Sequence, residues 1–158
     1  MLNTHTTLRL RGAALAGLLA LALTGCVNTP PEQGDRLARA AGTASMSIVM
    51  PLGLWEQTKP TYEAELDELE PVPLKGEEGE RGLVRVNLTG TQLVEYMNHL
   101  DNDAHGYGIE AETPENQAAA ARVYTAISEV VDQITARTGE DQPAPEVVID
   151  DTIGDEKK

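Results

Sequence analysis

The chain has 158 residues, with 26 acidic side chains against 12 basic ones, a formal charge of −14 and a single cysteine. That balance disfavours nucleic acid, whose partners neutralise phosphates with Lys and Arg, and one cysteine excludes an intramolecular disulfide or a two-cysteine redox centre. Trp55 and four tyrosines are the only aromatics, so the composition supports one modest core.

Residues 1–25 contain Arg9 and Arg11 and no acidic side chain. An apolar run from Ala13 to Leu23 follows, and then Leu23-Thr24-Gly25-Cys26. The run falls short of the roughly 20 residues of a permanent membrane span and reads as the core of a cleavable export signal. Leu-Thr-Gly-Cys resembles the lipobox of bacterial lipoproteins, over residues 1–26 only. The resemblance implies that diacylglycerol is joined to the Cys26 sulfur and that cleavage leaves Cys26 as the acylated first residue. Such a protein sits on the extracytoplasmic face of a membrane. Val27, in place of Asp, does not retain it at the inner membrane by the sorting rules of two-membrane bacteria, and a one-membrane host fits equally. Without the first 25 residues the chain keeps ten basic against 26 acidic side chains, a formal charge of −16.

Residues 26–45 are polar, with Pro30-Pro31 near the start, and read as a lipidated flexible tether. Residues 46–55 are apolar and too short to assign as helix or strand. Pro51 and Gly53 argue against one regular element there, and Trp55 is expected to pack on the core. Residues 56–81 are acidic and broken by Pro60, Pro71, Pro73, Gly76 and Gly79, which predicts loop or disorder with a short helix over 62–69. Leu83-Val84-Arg85-Val86-Asn87-Leu88 alternates as a half-buried strand. Thr89 and Gln92 have capping-box spacing and open a helix with Leu93, Tyr96, Met97 and Leu100 on its apolar face. Thr113 and Pro114 open a second helix, whose stripe holds Ala120, Val123, Tyr124, Ile127, Val130, Val131 and Ile134. Arg137 and Gly139 predict its end. The acidic tail 139–158 reads as disordered, although 147–149 also suits a short strand against 83–88. The expected fold is mainly α, a small helical hairpin over 46–138 with one or two short strands, flanked by disordered acidic segments.

Between the two helices, the segment from Asp101 to Glu112 resembles the twelve-residue calcium loop of EF-hand proteins. Asp101, Asp103 and His105 stand at positions 1, 3 and 5, Gly106 at the turn and Glu112 at position 12. The resemblance implies calcium held by Asp101, Asp103, His105, the Tyr107 carbonyl and Glu112, since a hard cation takes six to eight oxygens. His at position 5, Gly108 at position 8 and a second helix starting only at Thr113 depart from that pattern. The same residue types also suit a polar connector between packed helices. A zinc set of His99, Asp101 and His105 requires a strand-like alternation at what reads as a helix end. Phosphate loops, nucleophile elbows and His-Glu-x-x-His are absent from the sequence. The functional expectation is a lipid-anchored, non-enzymatic envelope protein that binds or scaffolds a protein or envelope polymer. The alternative is a calcium-binding module, calcium being the one cofactor the residues offer.

Overall fold

The computed structural model describes residues 32–62, 64–107, 113–134 and 143–150. Cys26, Glu112 and the ends 1–31 and 151–158 lie outside them. The fold is a mixed four-stranded sheet with helices packed on one face, which corrects the mainly α expectation.

Helix α1 (Gln33–Ala41) lies inside the stretch read as tether. Strand β1 (Ser45–Pro51) and helix α2 (Leu52–Thr58) divide the apolar run 46–55 between them, with Pro51 as the junction. Met46, Ile48 and Met50 point to the helices, and the alternation was obscured because Val49 on the other face is apolar as well. The acidic region holds short helix α3 (Ala64–Asp67), two-residue strand β2 (Val72–Pro73) and short helix α4 (Glu77–Glu80). Strand β3 (Leu83–Thr89) leads directly into helix α5 (Gly90–Ala104). Helix α6 (Pro114–Val131) and strand β4 (Glu146–Val148) complete the order.

The sheet runs β2-β3-β1-β4. β1 pairs antiparallel with β3, from Ser45 opposite Thr89 to Pro51 opposite Leu83. β4 joins β1 in parallel rather than joining β3, with Ile149 N donating to the Val49 carbonyl at 2.8 Å. On the face away from the helices, Arg85 pairs with Val49 but ends at Glu146 (3.1 Å), so its stem crosses β1. Arg81 likewise reaches Asp150 at 2.9 Å. These stems cover apolar surface while their charged heads hold the last strand, and Val49 is left only 2% exposed.

The starts of α5 and α6 follow the local chemistry expected of them. Gln92 N donates to Thr89 Oγ1 at 3.3 Å and Thr89 N donates to Gln92 Oε1 at 2.9 Å, a closed capping box. Thr113 Oγ1 accepts from Asn116 N at 3.2 Å ahead of Pro114. α1 rests across both helices, and its end comes so near the start of α5 that a Cβ on Gly90 would lie 2.4 Å from the Thr43 carbonyl oxygen. That places the C-terminal, partly negative end of α1 against the positive N-terminus of α5. α6 ends at Val131, short of Arg137. The core joins Met46, Ile48, Met50, Val86 and Leu88 of the sheet to Leu93, Tyr96, Met97, Leu100, Val123 and Ile127 of the helices, with Trp55 edge-on to Tyr96 at 5.4 Å.

Candidate functional site

Helix α5 is buried around more than half its circumference, and polar side chains share that burial: His99, Asp101 and Asp103 are at most 5% exposed. Successive helical residues turn by about 100°, so Asp101 and Asp103 point roughly 200° apart. Asp103 Oδ2 lies 3.2 Å from His99 Nε2. On the opposite side, Asp101 Oδ1 lies 3.3 Å from His105 Nδ1, which also meets the Asp101 carbonyl at 2.7 Å. Tyr62 Oη reaches His99 Nδ1 at 3.1 Å, so a chain of polar groups runs from the surface through His99 to Asp103. It fastens the segment after α2 onto α5.

Of the residues expected to hold calcium, the described ones Asp101, Asp103 and His105 are therefore not turned toward one point. Asp101 and Asp103 belong to the last turns of a helix rather than to a loop, and each faces a different histidine. Gly106 has φ of 74°, Gly106 N donates to the Asp103 carbonyl and Tyr107 N to the Asn102 carbonyl. This is a Schellman stop, in which glycine takes the left-handed position just past a helix. The glycine placed at a calcium-loop turn is thus a helix terminator. The Tyr107 side chain is exposed, and Glu112 falls outside the described residues. His99 and His105 likewise diverge, which separates the zinc set. Among the described residues no three His, Cys, Asp or Glu side chains are grouped to hold a metal ion.

A cleft of about 380 Å³ opens where α1 crosses α5 and α6. One end is built by Asp132, the residue that caps α6. A carboxylate at a helix C-terminus opposes the helix dipole, and two arginines of α1 answer it. Arg36 donates from Nε to both carboxylate oxygens at 3.1 Å and from Nη2 to Oδ2 at 2.8 Å, while Arg39 Nη1 reaches Oδ1 at 3.0 Å. The Arg36 guanidinium holds the Asp132 carboxyl below the usual carboxylate range. Tyr124 forms the floor, its hydroxyl donating to Gln33 Oε1. Ala121, Ser128 and Glu129 of α6, with Ala104 and His105 at the end of α5, complete the lining.

The cleft is hidden in the sequence because α1 falls within 26–45, a polar stretch that reads as tether. One signal was present. Ser128 follows Tyr124 by four residues and precedes Val131 by three, so a polar residue stands inside the buried stripe of α6. Among the described residues no helix is long and apolar enough to cross a membrane. The chain matches no family model, no curated protein and no solved structure.

Proposed function

We propose that this chain is a bacterial lipoprotein, held at the envelope by acyl chains on Cys26, whose acidic domain binds a partner rather than turning over a substrate. The observation that carries this reading is the order of parts in residues 1–26: Arg9 and Arg11, the apolar run, then Leu23-Thr24-Gly25-Cys26. Two long acyl chains, at about 0.8 kcal/mol per buried methylene, hold a domain of this size firmly on a bilayer.

The fold refines the reading. The first described helix starts at Gln33, seven residues beyond Cys26, and it packs on α5 and α6. Seven residues extend at most about 25 Å, so the domain stays close to the membrane instead of ranging over a long leash. Its charge of −16 opposes contact with anionic head groups and favours a basic or cationic partner. A binding role is supported further by the cleft beside α6.

Fractionation of cells expressing the full chain and its Cys26→Ser variant tests the anchor. The native chain is expected in the membrane fraction, extracted by detergent but not by salt, with the variant released. Equal release of both would overturn the proposal.

A further inference from the structure

Helix α5 buries a histidine whose two ring nitrogens face different groups. His99 is 2% exposed; Asp103 Oδ2 lies 3.2 Å from its Nε2, and the Tyr62 hydroxyl lies 3.1 Å from its Nδ1. A carboxylate only accepts, so in the neutral ring Nε2 carries the proton and Nδ1 is left as an acceptor for the phenol O–H. The Tyr62 and His99 rings meet edge-on, with centroids 5.8 Å apart. His99 and Asp103 stand one turn apart on α5, so the helix itself sets that pair, and Tyr62 is brought to it by the segment after α2.

Phenol, imidazole and carboxylate in this order form the arrangement that activates a nucleophile. The base lies within hydrogen-bond reach of the phenol, and the third group orients the base and offsets the positive charge it gains. Burial strengthens that electrostatic support, since the Asp103 side chain is only 6% exposed. Tyr62 itself is 52% exposed, so the side chain that would react is open to solvent while its base and carboxylate are shielded. Adhesion of Tyr62 to α5 needs no more than an acceptor for its hydroxyl. A buried carboxylate behind that acceptor adds a desolvation cost and nothing to the adhesion. The formal charge of −14 opposes anionic phosphoryl and sulfuryl donors, which leaves a neutral carbonyl compound as the matching electrophile.

We infer that Tyr62 is an acyl-acceptor site for neutral activated esters, with His99 as its base and Asp103 as the positioning residue of that base. The phenol oxygen bonds to the ester carbonyl carbon, and the bond from that carbon to the leaving alkoxide or phenolate breaks. The phenolic proton passes to His99 Nδ1 and from there to the departing oxygen. One acyl group is transferred per chain, and the site depends on neither the lipid anchor nor a bound partner.

Reaction of the full chain with p-nitrophenyl acetate in neutral detergent tests the assignment, with acetylation of Tyr62 followed by peptide mass mapping. Tyr62 is expected to react at least about tenfold faster than free N-acetyltyrosinamide, a fully exposed phenol without a base. Tyr62→Phe should abolish this fast reaction. His99→Gln keeps an oxygen that accepts from the phenol but cannot take its proton, and should bring the rate down to that of the free phenol. Asp103→Asn should slow acetylation by about tenfold and shift the His99 ring nitrogens in ¹⁵N NMR, which in the native chain should report the Nε2–H tautomer. Circular dichroism establishes that the variants remain folded. A Tyr62 no faster than the free phenol, an Nδ1–H tautomer in the native chain, or a folded His99→Gln protein acetylated at the native rate would each overturn the assignment. The first two results need only the native chain, and an unlipidated chain serves equally well without detergent, so this failure and that of the anchor are read separately.

Discussion

Two polar side chains, one within α6 and one at its cap, have opposite effects on stability. Ser128 holds a buried hydroxyl without a partner among the described residues, in the interior of a helix. Replacing it by Ala removes an unmet desolvation cost and improves helix propensity. Urea unfolding should therefore show Ser128→Ala to be more stable by about 1 kcal/mol. A loss of stability would mean that the hydroxyl is satisfied in the folded chain. Asp132 is the opposite case, a carboxylate held by Arg36 and Arg39. Its carboxyl is depressed by Arg36, so it binds protons more readily in the unfolded chain than in the folded one. Its contribution is therefore present above the unfolded value of about 3.9 and is lost as pH falls through the lower folded value. Because the pair is partly exposed, its contribution is small. Asp132→Asn should flatten the stability profile below about pH 4 and leave the curve above pH 5 parallel to that of the parent chain. An unchanged acid limb would show that Arg36 and Arg39 do not hold this carboxylate in solution.

Among the elements, those written in local chemistry were legible and those made by distant pairing were not. Thr89 with Gln92, and Thr113 with Pro114, mark helix starts because capping needs only residues a turn apart. β3 shows its alternation because one of its faces is polar at Arg85 and Asn87. β1 hides the same pattern behind Val49, a side chain that only the arginines of a neighbouring strand and turn make tolerable on the outer face. β4 has three residues, and nothing local distinguishes them from an acidic tail; their place depends on β1 and on the Arg81 and Arg85 clamps. The candidate site was legible only in part. His105 was singled out, but Asp101 and Asp103 diverge once α5 continues through Ala104, and the far wall needs α1. α1 is docked through the bare approach of Gly90 to the Thr43, Ala40 and Ala41 carbonyls. Gly90→Ala should therefore displace α1 and destabilise the fold by about 1–3 kcal/mol, with faster amide exchange in α1 than in the β1–β3 pair. Unaltered exchange in α1 would show that the helix is not seated there.

At the scale of the whole molecule, charge and attachment act together. A body with 26 acidic residues repels anionic lipid, yet its first described helix begins only seven residues past Cys26. With the proposed acyl chains on Cys26, the domain would be presented close to the membrane plane without being adsorbed onto it, an arrangement suited to meeting cationic molecules near the surface. Every part of that picture depends on what is joined to Cys26. The direct measurement is the intact mass of the mature protein purified from its native envelope. The account predicts a chain beginning at Cys26 and heavier than its sequence by a diacylglycerol, with or without a further amide-linked acyl group. A chain beginning elsewhere, or one carrying a free Cys26 thiol, would contradict it.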